Sequence, residues 1–322
     1  MQSITTSAPG KLLLMGEHAV VYDHPCIVTA VNHRMKIRLF LTDDNQMTLN
    51  APDVEVMNYQ KSVSSLVSHD MPKGAQFVEI AVRNFFQTYH LKQGINITST
   101  SDFSSQFGFG SSSAVTVATI KALSEIFDKS MSDRELFDLS YKTVLDIQGK
   151  GSGFDVAAAV YGGTLFFVTG GKRIEPISVQ NIPLVVGYTG VKADTVKIIE
   201  RVKKIADQYP IFVEGIYGLI EELVKEAKTC LEKNNFAEFG KLMIMNQGLL
   251  ESLGVSTEKL SQMNSGAIKA GAYGAKLSGA GGGDCMIAVA PAEKRSEVST
   301  AIEKSGGTII DVQTNTNGIR VE

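Results

Sequence analysis

Between Phe103 and Ser113 the chain passes through Gly108, Phe109 and Gly110 into three consecutive serines, Ser111, Ser112 and Ser113. It then runs directly into a segment where Val115, Ala118, Ala122 and Ile126 recur at helical spacing. No other stretch restricts the local fold as much. The alternating glycines let the backbone approach a ligand closely, the serines open a helix, and the first-turn N–H groups of that helix lack intrahelical partners. Free donors and the positive end of the helix dipole together favour an anion. A polyphosphate suits this chemistry, with a serine hydroxyl offered to its magnesium ion. An ordinary serine-capped helix start carries the same letters. The loop is not a P-loop, since no Gly-x-x-x-x-Gly-Lys-Ser/Thr run occurs in the chain, nor is it the Rossmann fingerprint.

Three further clusters accompany it. In Ala8–Tyr22, Pro9-Gly10 reads as a turn, Lys11 leads a short strand, and Glu17 and His18 follow its end. A lysine near a Glu-His pair suits a polar or anionic substrate; a solvated edge hairpin is the plainer reading. In Gln148–Gly163 a single acid, Asp155, enters an otherwise apolar helix start. Such a carboxylate is costly unless paired or functional. It reads either as an N-cap or, with a partner such as Lys11, as a base. In Gly274–Cys285 the glycines at 274, 279 and 281–283 make a backbone rich in N–H donors, or else a flexible turn.

At 322 residues, 43% apolar and 20% charged, the chain can bury a large core, and two domains are expected. A net charge of −3 gives no footprint for nucleic acid. No apolar run reaches membrane-spanning length, and Leu12–Met15 is too short for a signal-peptide core. Cys26, Cys230 and Cys285 are scattered, which argues against a disulfide framework or a zinc site. A cytoplasmic protein with neither nucleic-acid nor membrane partners is expected.

Strand character appears at Ser3–Ser7, Lys11–Met15, Cys26–Val31, Lys36–Leu41 and Gly94–Ser99, while 43–60 reads as polar and irregular. Helices are expected over Phe77–Tyr89, Ser111–Phe127 and from a capping box at Ser132–Glu135. After strands at Thr164–Val168 and Ile182–Tyr188, amphipathic helices are expected near 194–208, 212–233, 235–252 and 257–272. Strands at Cys285–Ala290 and Thr308–Gln313, with a helix over Ala292–Lys304 between them, complete the pattern. A boundary is expected near 175–185.

Taken together, these motifs resemble the GHMP kinase superfamily in order and spacing, over nearly the whole chain. Within it, Pro9–Tyr22, Asn246–Ser256 and Ala275–Gly283 are most similar to the mevalonate kinases. The resemblance implies an α+β fold of two lobes. Residues 1–178 would form an ATP-binding lobe like ribosomal protein S5 domain 2, and 179–322 a ferredoxin-like lobe. It implies an ATP- and Mg2+-dependent enzyme phosphorylating the primary hydroxyl of mevalonate in isoprenoid synthesis. Phosphomevalonate kinase is the alternative of the same fold; a non-catalytic metabolite-binding relative and diphosphomevalonate decarboxylase are remoter ones. It also implies roles: Asp155 as catalytic acid–base group paired with Lys11, and Gly108, Phe109, Gly110, Ser111, Ser112 and Ser113 around ATP. Glu17, His18, Thr195, Gly281 and Gly282 would lie around the acceptor. Ser112 would bind the metal. Relatives are often dimers, so a homodimer is an expectation.

The match has departures. Ser104-Ser105-Gln106 stand where the superfamily loop usually carries proline, and Gly151–Val156 differs from the usual surroundings of the base. The glutamate that mevalonate kinases use for magnesium falls at Val144, which leaves Asp146 as the nearby acid. Gln148–Gly163, Gly187–Gly190 with Ala193–Thr195, and Gly283-Asp284-Cys285 look more like phosphomevalonate kinase. A phosphorylated acceptor would require extra cations, and Lys150, Lys172 and Lys192 are candidates for them.

Overall fold

Two long antiparallel strands, β1 (Ser3–Met15) and β2 (Pro25–Thr42), form the spine of the chain. The computed structural model describes residues 3–66 and 70–322. Each strand was expected as two shorter pieces. Pro9-Gly10 proves to be a register shift inside a continuous strand rather than a turn. The bulge has a local cause. The loop before the serine helix crosses β1 here, and a Cβ on Gly10 would come within 3.1 Å of the Phe109 carbonyl oxygen.

The chain continues through β3 (Gln46–Ala51), β4 (Val56–Ser62), α1 (Gln76–Tyr89), β5 (Gly94–Ser101), α2 (Ser111–Ile126), α3 (Asp133–Gln148), α4 (Phe154–Tyr161), β6 (Thr164–Val168) and β7 (Arg173–Pro176). The first sheet has the order β12-β1-β2-β5-β3-β4, with β6 joining β2 to β7. Residues 43–60, expected as irregular, supply β3 and β4. Their half-polar alternation belongs to strands with one covered face.

A second, antiparallel sheet follows. Its elements are β8 (Leu184–Tyr188), α5 (Thr195–Gln208), α6 (Pro210–Glu232), α7 (Phe236–Ser252), α8 (Glu258–Lys269), β9 (Gly274–Ser278), β10 (Cys285–Val289), α9 (Arg295–Lys304) and β11 (Thr308–Ile310). The order is β11-β8-β10-β9, and β12 (Arg320–Val321) returns to β1. β9 was hidden in the glycine-rich run.

Side-chain alternation explains how β1 serves both halves. Leu13, Cys26 and Val28 pack with the α1–α4 helices, whereas Leu12, Leu14 and Ile27 join the core of the second sheet and its helices. The apolar run Leu12–Met15 is therefore buried on both faces rather than exposed at an edge.

Candidate active site

The serine helix begins as its sequence suggests. Gly110 is the N-cap with φ of 75°, a left-handed conformation that glycine adopts without strain, and no side chain caps the helix. The hydroxyls of Ser111, Ser112 and Ser113 make no hydrogen bonds among the described residues. The first turn of α2 thus presents free donors. β1 lies beneath it: Lys11 N donates to Phe109 O at 2.9 Å, and Lys11 Nζ donates to Gly108 O at 3.0 Å. Phe109 is buried, with its ring among Phe103, Phe107 and His33, and this packing fixes the loop from within.

Asp155 reaches the same point from the first turn of α4. Gly153 is the N-cap, so Asp155 is not the cap, and its side chain turns to Lys11 instead. Lys11 Nζ lies 3.2 Å from Asp155 Oδ1. This is a charge contact whose angle makes no hydrogen bond, and Oδ1 has no other donor. The carboxylate retains a third of its exposure while the lysine is nearly buried. An acid with an unfilled oxygen, held by a cation at the mouth of a helix N-terminus, is equipped to take a proton from a hydroxyl beside a phosphate.

The third glycine run closes the site from the second sheet. His18, with φ of 61°, is buried, and its Nε2 lies 2.9 Å from Ala280 O. A carbonyl only accepts, so Nε2 carries the proton and Nδ1 presents a lone pair. Burial, with Arg201 nearby, holds His18 below its ordinary value and keeps the ring neutral. Gly282 N donates to Val255 O at 2.8 Å, which fixes the run against the turn after α7. Gly281 lies in the same run with φ of 78°. Thr195 opens α5 and is exposed.

Two expected roles need correction. Glu17 does not line a pocket: it is fully buried, with its carboxylate on Lys276 Nζ of β9. Burial pushes its carboxyl up and Lys276 pulls it back. The pair joins the two sheets, beside Ser278 Oγ, which bonds Leu13 N at 3.1 Å and Leu13 O at 2.9 Å. Asp146 does not face the loop. Its Oδ2 accepts from Asn84 and Arg83 of α1 and from Lys142. The physical reason is helical phase, since two residues turn a side chain by roughly 200°. Val144, at the inward phase, is core.

Sequence reasoning missed Arg201. It lies on α5 one turn after Ile198, whose side chain meets Gly282, and its guanidinium reaches to within 3.8 Å of where a Gly254 Cβ would stand. No hydrogen bond or ion pair occupies it among the described residues. A free guanidinium beside His18 is suited to a carboxylate. No signal in the sequence pointed to it, since the nearness of Ile198 to Gly282 appears only in the fold. Among the lysines, Lys172 is paired with Asp23 at 2.9 Å, while Lys150 and Lys192 are exposed.

A cavity of about 450 Å³ is lined by Asp53 and by Ser101–Gln106, the segment that precedes the Gly108–Gly110 loop in the chain. A larger one, about 550 Å³, lies at Arg83, Phe86 and His90 of the α1 region, apart from Lys11 and Asp155.

The family model for the GHMP kinases N terminal domain matches residues 76–163, and that for the GHMP kinases C terminal region matches 219–308. A mevalonate kinase of Pyrococcus abyssi is 36% identical over 330 residues, covering 99% of this chain and 98% of its own. The crystal structure of the Methanococcus jannaschii mevalonate kinase has a TM-score of 0.84 at 27% identity, over 98% of this chain and 99% of that one. Streptococcus pneumoniae phosphomevalonate kinase, in complex with phosphomevalonate and AMPPNP, is alike in fold alone. Its TM-score is 0.80 at 18% identity, over 98% of this chain and 100% of that one.

Proposed function

The chain belongs to the GHMP kinase family, and from that premise we propose that it transfers the γ-phosphoryl group of ATP to the primary hydroxyl of mevalonate, giving 5-phosphomevalonate. The near-full-length identity with mevalonate kinases favours this acceptor over phosphomevalonate. The observation that carries the mechanism is the Lys11–Asp155 contact at the mouth of α2.

In this reading residues 1–178 form the nucleotide lobe and 179–322 the second lobe. The nucleoside occupies the cavity before Gly108, and the phosphates lie on the free N–H groups of Ser111–Ser113. Mevalonate places its hydroxyl at Asp155, with His18 Nδ1 and the neighbourhood of Thr195, Gly281 and Gly282 around its body. Arg201 meets its carboxylate. Asp155 orients the hydroxyl and accepts its proton as the new O–P bond forms and the bond from the γ-phosphorus to the β–γ bridging oxygen breaks; ADP is the leaving group, and Lys11 offsets charge on the transferring group.

Magnesium fits the groups present, because the Ser112 hydroxyl is unengaged at the first turn of α2. When bound, the ion supplies neutralisation of the phosphate charge. A homodimer is the assembly in this reading; Ile211 at 84% and Phe212 at 73% exposure leave an apolar face on α6.

The test is coupled ADP release measured separately with mevalonate and with phosphomevalonate. Turnover with mevalonate is expected; turnover with phosphomevalonate alone overturns the acceptor, and binding of mevalonate without any ADP release overturns catalysis.

A further inference from the structure

Asp284, the residue after the third glycine run, is held in place at every backbone group. It is non-glycine at φ of 54°, its N donates to Val191 O at 2.8 Å, and its O accepts from Thr189 N at 2.9 Å. Oδ1 accepts from Ala193 N at 2.9 Å. The other carboxylate oxygen has no hydrogen-bond partner among the described residues. Only 9% of the residue is exposed. Oδ2 lies against the phosphate loop, 2.6 Å from where a Cβ on Gly108 would stand. Gly108 is also the residue whose carbonyl holds Lys11 Nζ.

A largely buried carboxylate with one oxygen unpaired and set against a polyphosphate loop is repulsive to the ligand unless a cation stands between them. Lys11 and Lys192 both act on the Asp284 carboxylate from a distance, but neither pairs with Oδ2, and the Lys11 ammonium is directed to Gly108 O and Asp155. The helix that would otherwise offer an acid does not do so, because Asp146 is turned to α1 and Val144 is core. A nucleotide-bound magnesium ion needs only one or two protein groups beside phosphate oxygens and water.

We propose that Asp284 Oδ2 is the protein's acidic contact to the magnesium ion of the bound nucleotide, supplied from the residue before β10 and complementing Ser112 from α2. This rests on the kinase reading above. It also gives the second sheet a share in nucleotide binding, so that the metal is bound fully only when both lobes are in place.

Asp284→Asn tests it. Asparagine tolerates the left-handed backbone, and its side-chain oxygen still accepts from Ala193 N. The probe is Mn2+ titrated into protein with a non-hydrolysable ATP analogue, with free Mn2+ followed by electron paramagnetic resonance. At least a tenfold rise in the Mn2+ dissociation constant is expected, with the analogue's affinity in EDTA equal to or tighter than wild type. Unchanged Mn2+ affinity overturns the proposal, as does an equal loss of analogue binding with and without metal. Wild-type protein that fails to bind the analogue with Mn2+ overturns the kinase reading itself. Should the asparagine variant not fold, Asp284→Gly, which suits the positive φ, provides the same comparison.

Discussion

Lys276→Met removes one half of the buried pair between the sheets and leaves Glu17 alone in the core. Both side chains are fully buried, so water cannot replace the lost partner. The remaining charge is relieved by protonation, and this sets the size of the effect. Keeping a carboxyl of ordinary value near 4.3 protonated at about pH 7 spans about 2.7 units, or roughly 3.7 kcal/mol. At about pH 5 the same cost falls to roughly 1 kcal/mol. The figure at neutral pH agrees with the about 3–5 kcal/mol typical of breaking one side of a buried pair. Burial already pushes the Glu17 carboxyl up with Lys276 present, its Oε2 has no partner, and beyond Lys276 the carboxylate is eased only by the backbone N–H groups of Glu17 and Gly279, both weaker than the lysine. The measurement is urea unfolding of wild type, Lys276→Met and Glu17→Gln/Lys276→Met at both pH values. The single variant should lose most stability at neutral pH and recover on acidification, and the double variant should lie much nearer wild type. A loss under about 1 kcal/mol at neutral pH, or one equally large at both pH values, would refute the argument.

Asp155→Asn should keep its fold and lose about 10²- to 10⁴-fold in kcat, as read by coupled ADP release; unchanged kcat removes Asp155 from the mechanism. Arg201→Ala should raise KM for mevalonate about 10- to 100-fold with little change in kcat, and Arg201→Lys should recover part of it. An unchanged KM would show that the guanidinium does not meet the acceptor. His18 is held below its unfolded value of 6.5, so the unfolded chain takes up the proton first and stability falls as pH drops through 6.5 toward the depressed folded value. Melting temperatures of His18→Asn should fall less steeply over that window than those of wild type.

The helix starts were legible because they depend on local backbone chemistry. Glycines and serines before an apolar run give the glycine N-cap and uncapped first turn of α2, and the capping box at Ser132 and Glu135 forms as read. The second lobe's helices also fall close to their expected places, since their amphipathic period is long and regular. What was not legible depends on contacts distant in sequence. Continuous β1 was read as two pieces because Pro9-Gly10 signals a turn locally, and only the loop crossing above it makes a bulge. Glu17 reads as a site residue because its partner, Lys276, is 259 residues away. Asp146 reads as a metal ligand by number alone, while helical phase directs it to Arg83 and Asn84.

The seam from Leu13 to His18 also affects how the protein is made. Leu13 and its partner Ser278 are 265 residues apart. At a ribosomal pace of about 5–20 residues per second, β1 waits roughly 13 to 50 seconds after its own synthesis before that partner is made. Until then the second-lobe face of Leu12 and Leu14 has nothing to cover it, and Glu17 remains a free surface charge on the nascent chain. β1 is thus made long before it is sealed, and chaperone protection of the growing chain should be concentrated on Ser3–Tyr22.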